Sequence, residues 1–144
     1  MKLAWITDIH LNFVDFDTKQ KFYESLFVNA IDAIAISGDI DEALTLSNTL
    51  IEMTRHILKP IYFVLGNHDY GDYTRWSTEK DKAENFQEML DIQKEMGFDL
   101  LRNESRFIQK DNDRLAIIGV ENWGKGFKQK GDLELASTAV NPTD

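Results

Sequence analysis

Three short apolar runs punctuate the first half of the chain, and each ends on small or acidic residues. Lys2 to Thr7 ends at Asp8, Asp32 to Ser37 ends at Gly38-Asp39, and Ile61 to Leu65 ends at Gly66-Asn67-His68-Asp69. Runs of this length bounded by turn formers read as buried strands. Between them the apolar positions fall at helical spacing. Thr18 is placed as the N-cap of a helix over 19–30, with Phe22, Tyr23, Leu26, Phe27 and Ala30 on one face. A second helix is predicted over 41–58. Its stripe is Ala43, Leu44, Leu50, Ile51, Thr54, Ile57 and Leu58, and Pro60 lies just beyond. A third helix over 78–96 rests on Ala83, Phe86, Met89, Leu90 and Met96, with Gly97 as its stop.

The pattern then shortens. Residues 98–102 suit a brief strand, and 105–110 with 114–120 suit a hairpin turning at Asp111-Asn112-Asp113. From Asn122 to Asp144 the chain is rich in Gly, Lys and polar residues, and no element is predicted there. Alternating strands and helices predict an α/β fold, with parallel strands, right-handed connections and a C-terminal hairpin.

A length of 144 residues suits one domain, and 42% hydrophobic residues can supply its core. No apolar run reaches the roughly 18–20 residues that cross a bilayer, so no membrane partner is expected. The stretch before Asp8 is too short for the apolar segment of a signal peptide. The absence of cysteine excludes disulfides and thiolate metal sites, and a cytoplasmic location fits these features. Net charge is −9, a surface that repels polyanions, so nucleic acid is not expected as a partner except as a substrate.

The loops after the three strands carry the chemistry. In an open α/β sheet, sites form beyond the carboxyl ends of the strands, so parallel strands deliver Asp8-Ile9-His10, Gly38-Asp39 and Gly66-Asn67-His68-Asp69 to one edge. Asp8 and His10 are two apart in extended chain and point the same way, so together they can hold one cation. Asp39 has two carboxylate oxygens and can bridge two metals, and Asn67 offers a neutral oxygen to the second. Oxygen and imidazole donors without sulfur suit Mn, Fe or Zn. Taken singly, Asp8 or Asp39 reads more readily as a helix N-cap, and His10 as an exposed loop histidine. Two of the chain's three histidines, however, stand beside aspartates at strand ends.

In the order "TDIH", "SGDI" and "GNHD", each directly after an apolar strand, the chain resembles the calcineurin-like metallophosphoesterase family. Gly-Asp is uninformative alone and Asp-x-His is weak, but the ordered set is specific. The resemblance covers residues 1–125, with 126–144 as a tail, and implies a partial α/β sandwich of that family's type. It implies two divalent metal ions, with Mn the expected choice in vitro. Asp8, His10 and Asp39 would hold the first, and Asp39 and Asn67 the second. It further implies hydrolysis of phosphomonoesters or phosphodiesters, with His68 as catalytic proton donor and Asp69 orienting it. Pairing with an acid raises a histidine pKa.

The family pattern continues with a further metal-binding histidine and a Gly-His-x-His element, yet no histidine follows His68. The second ion is then left two protein ligands and should be weakly held. A single, truncated domain over 1–144 is the expectation, with a natural half or an inactive metal-binding or assembly module as alternatives. An uncovered sheet would favour self-association. His56, on the second helix, reads as structural. Asp15-Phe16-Asp17-Thr18 imitates the start of haloacid-dehalogenase phosphatases but follows no buried strand. Gly119 to Gly126 imitates a P-loop but lacks the terminal Ser or Thr. Trp123, Lys125 and Lys128 suit a surface loop better than a cleft, and specificity is expected in the loops at 11–17 and 70–80 and in the absent half of the domain.

Overall fold

The computed structural model describes residues 1–70, 79–121 and 131–141. Four parallel strands stand side by side in chain order: β1 (Leu3–Ile6), β2 (Ala33–Ser37), β3 (Ile61–Val64) and β4 (Asp99–Leu100). The register pairs Trp5 with Ala35, Ile36 with Phe63, and Phe63 with Leu100. Strands laid down sequentially through right-handed crossovers place every connection on the same side. The helices α1 (Phe16–Val28), α2 (Leu46–His56) and α3 (Glu79–Glu95) accordingly share one face. There Ile34, Ile36, Ile61, Phe63 and Leu100 from the sheet meet Tyr23 of α1, Leu46, Leu50 and Met53 of α2, and Met89 of α3. Burying three such side chains holds α2 to the sheet by roughly 5–9 kcal/mol before ordering costs.

The other face carries the antiparallel hairpin of β5 (Glu104–Lys110) and β6 (Asp113–Gly119). At one end Gly119 lies so close to Leu101 and Val64 that a Cβ there would sit 2.2 Å from Leu101 Cβ. Midway, Arg106 Nε donates to Asp99 at 2.8 Å. At the tip, Lys110 reaches Asp32 at 2.7 Å, and the Met1 ammonium lies 3.1 Å from Asp113. The hairpin therefore runs across the sheet from the end of β3 to the start of β1. Part of that face stays open: Trp5 is 77% exposed, its indole donating to Ser37 Oγ at 3.0 Å.

Several sequence expectations need adjusting. The cap of α1 is Asp15, not Thr18. Asp15 is extended and accepts the Thr18 N–H at 2.9 Å and its hydroxyl at 2.8 Å, so the helix starts earlier than 19. It also ends earlier, because Ala30 turns to φ 50°, leaving Phe27 exposed. The second helix is shorter than 41–58, since residues 41–45 belong to the loop beneath the site, and Leu44 and Leu58 are exposed. Gly97, at φ 79°, follows α3 as expected. His56 stacks flat on Tyr23 with centroids 4.5 Å apart. A short helix, α4 (Leu133–Ser137), forms where none was predicted, capped by Asp132 through the Leu135 N–H. The Ala83 side chain, residues 71–78 of the loop at 70–80, and Trp123, Lys125 and Lys128 lie outside what the structure describes.

Candidate metal centre

The parallel ladder of β1 and β2 continues past the strands and draws their loops together. Asp8 N–H donates to Gly38 O at 3.1 Å, His10 N–H to Asp39 O at 3.1 Å, and Leu11 N–H to Ile40 O at 2.9 Å. The β2 and β3 loops approach still more closely. A Cβ on Gly38 would lie 2.7 Å from the Gly66 nitrogen, and one on Gly66 would lie 2.0 Å from Asp39 Oδ1. Only glycine permits this backbone contact, and it seats the Asp39 carboxylate directly over the start of the third loop. Asp8, His10 and Asp39 all take left-handed backbone, at φ 51°, 39° and 52°. For residues with a Cβ that conformation costs about 1–2 kcal/mol each, and such strain gathers at functional sites.

From this backbone, His10, Asp39 and His68 bring ligand-capable atoms within 4.8 Å of one another. The two imidazoles meet edge to face with centroids 4.8 Å apart. Asp39 is nearly buried and its Oδ1 accepts the His68 N–H at 3.0 Å. His10 Nδ1 is buried without a hydrogen-bond partner. An unmatched buried polar atom normally costs about 1–3 kcal/mol, and a divalent cation would remove that cost. Imidazoles grouped with a carboxylate fit an ion of the Mn, Fe or Zn kind. Asp8 lies outside this trio, exposed, and its carboxylate accepts the Thr7 hydroxyl. Asn67 lies half-buried in the turn over 67–70.

Asp69 is 2% exposed and its oxygens accept three backbone N–H groups: Ile40 at 2.9 Å, Asp41 at 3.1 Å and Gly66 at 2.9 Å. It pins the third loop to the second. Burial pushes its carboxyl up to about 7, against the pull of those N–H groups. The acid at the His68 ring is instead Glu42, whose Oε1 lies 2.6 Å from Nδ1. That hydrogen bond raises the His68 pKa, with smaller help from the charges on Glu42, Asp39 and Asp69. The carboxylate in contact with His68 Nδ1 is thus that of Glu42, while the Asp69 oxygens accept backbone amides. Asp41 is another residue the sequence did not single out. Fully buried, it accepts Glu42 N–H at 2.6 Å, Thr45 Oγ at 2.5 Å and the Thr49 hydroxyl, bracing the loop against α2.

Comparison with known proteins bears on the fold and the family. In backbone, the chain is similar to the crystal structure of phosphopantetheinyl hydrolase from Mycobacterium tuberculosis, with a TM-score of 0.57 and 16% sequence identity. The match covers 80% of this chain but only 40% of that one, so it spans about two fifths of the longer protein. At 16% identity the likeness establishes the fold alone. No curated protein matches the sequence significantly. The profile of the calcineurin-like phosphoesterases matches residues 1–133. The chain belongs to the calcineurin-like phosphoesterase family.

Proposed function

We propose that this chain hydrolyses phosphate esters, monoesters or diesters, at a dinuclear site for Mn, Fe or Zn. Asp8, His10 and Asp39 would hold one ion, and Asp39 with Asn67 the other. The observation that carries the reading is the convergence of His10, Asp39 and His68 on one point, with His10 Nδ1 buried and unpartnered. Divalent cations there would supply positive charge for the phosphoryl oxygens and lower the pKa of water.

The chain's own residues account for the rest. Glu42 at Nδ1 favours a proton on that nitrogen and leaves Nε2 as the working end of His68. A raised pKa keeps the ring protonated further into the neutral range, as a donor to a leaving alkoxide requires. Asp69 fixes the loop that carries His68. With two protein ligands, Asp39 and Asn67, the second ion is expected to be weakly held.

The test is Mn²⁺-dependent hydrolysis of bis-p-nitrophenyl phosphate and p-nitrophenyl phosphate, beside Asp39→Ala and His68→Ala. Loss of activity in both variants, with metal content reduced in Asp39→Ala, supports the reading. Full activity in Asp39→Ala refutes it. A second reading, an inactive module that binds metal or assembles through its sheet, is favoured by the open face around Trp5. It expects concentration-dependent association in sedimentation, abolished by Trp5→Lys, and a monomer at high concentration would count against it.

A further inference from the structure

Outside the metal-facing residues, the most unusual group is the buried carboxylate of Glu121, at 5% exposure just beyond β6. Both of its oxygens are taken. Arg102 Nε donates to Oε1 at 2.5 Å, and the Tyr70 hydroxyl donates to Oε2. Its own N–H donates to Asn103 Oδ1 at 2.9 Å, and the same oxygen accepts the Asp132 N–H at the cap of α4, at 3.0 Å. Asn103 is itself buried and takes left-handed backbone at φ 57°. Segments remote in sequence therefore meet here: the end of the third site loop and the entry to the hairpin at the Glu121 carboxylate, and the cap of α4 at Asn103 beside it.

The member that matters is Tyr70. It directly follows Asp69, and its N–H donates to Gly66 O at 3.3 Å, closing the turn that carries Asn67 and His68. Its ring stacks on Phe86 of α3 at 5.4 Å, so the phenol oxygen is the end that Glu121 controls. Burial and the Glu121 charge both raise the phenol pKa, so Tyr70 stays a donor throughout the working range. A buried ion pair is weak evidence for stability, since an apolar substitute often holds a fold as well. What the carboxylate adds is direction: two donors from different segments must meet its two oxygens.

We propose that Glu121 is a positioning residue for the metal-facing loop, fixing through Tyr70 the turn that presents Asn67 and His68. This rests on the phosphoesterase reading for its consequence in turnover, but not for its geometry. Residues of this kind, which orient ligands without touching the ion, are typically worth about 10–100-fold in metal affinity or activity.

The test compares Glu121→Gln, Tyr70→Phe and the double variant with the parent chain, and uses Arg106→Gln, at the half-buried ion pairs of the hairpin with Asp99 and Glu104, as control. The first readout is the His68 imidazole resonance in metal-free protein, resolved among only three histidines. The second is Mn²⁺-dependent kcat and KM. Both single variants are expected to shift the His68 resonance and lower kcat about 10–100-fold, with KM within about twofold, while Arg106→Gln does neither. The double variant should be no worse than the poorer single. Additive losses, a loss confined to KM, or a lower Tm with His68 resonance and kcat unmoved would each overturn the proposal. Tyr70→Phe removes one hydroxyl and no charge, so it serves even where Glu121→Gln folds poorly. Should the parent hydrolyse neither ester, the phosphoesterase reading fails, and the resonance alone still decides the role of Glu121.

Discussion

Asp41→Ala is the sharpest test of how the second site loop is held. The carboxylate is fully buried and gathers three donors: Glu42 N–H, Thr45 Oγ and Thr49 Oγ. Thr45 is exposed and can turn to water, but Thr49 is 5% exposed and the Glu42 amide is partly buried. Leaving those two without an acceptor costs about 1–3 kcal/mol each. The expected loss is therefore about 3–4 kcal/mol, which for a chain of this size lowers Tm by about 10 °C. Asp41→Asn keeps one acceptor oxygen, and hydroxyls can rotate to accept from its amide, so it should cost about half as much. The assay is urea unfolding followed by far-UV circular dichroism, run as a double-mutant cycle with Thr49→Val. A coupling of 1 kcal/mol or more is expected for groups in direct contact. An Asp41→Ala loss below about 0.5 kcal/mol, or strict additivity with Thr49→Val, would refute the bracing role.

Other perturbations separate the parts of the site. Gly66→Ala drives a Cβ into Asp39. It should cost about 1–3 kcal/mol and abolish Mn²⁺ binding in titration calorimetry, whereas Gly97→Ala, with open space but φ 79°, should cost about 1–2 kcal/mol and leave metal binding intact. Glu42→Gln removes the main cause of the raised His68 pKa. The ring should lose its proton at lower pH in an NMR titration, moving the alkaline limb of the rate profile down, and an unmoved titration would exclude Glu42 as its partner. Asp69 has a folded pKa raised from 3.8 to about 7, so ionisation favours the unfolded chain. In metal-free protein its contribution is full below about pH 4 and is lost as pH rises to about 7, a difference of at most about 4 kcal/mol. Asp69→Asn should flatten that part of the stability curve, and a curve of unchanged slope would show that Asp69 does not titrate there.

The strands and the three site loops were legible because each is a local pattern: an apolar run, then a glycine or acid. The helices were legible in existence but not in extent. Asp15 and Thr18 are both good caps three residues apart, and only the extended backbone at Asp15 decides between them. Residues 41–45 carry helical spacing, yet Asp41 and Glu42 are claimed by Thr49 and His68, contacts that outweigh local propensity. His68 and Glu42 lie 26 positions apart, and nothing in their spacing announces the pairing. Gly-Asn-His-Asp offers a nearer acid, Asp69, whose oxygens the backbone amides take instead. Glu121 was invisible for the same reason: its partners Arg102 and Tyr70 come from segments that only folding brings together.

The sequential order of the sheet bears on how the protein is made. Each strand pairs with the one before it, so a chain leaving the ribosome can add strands one at a time to a growing edge, without waiting for distant segments. By the time β3 and its turn have emerged, all three site loops exist and their mutual hydrogen bonds can form. The hairpin and Glu121 arrive afterwards. Synthesis proceeds at about 5–20 residues per second, so several seconds separate a nascent site from the clamp that sets its last loop. In that interval the newborn sheet shows its helix-free face bare, and a chaperone would find the exposed surface there.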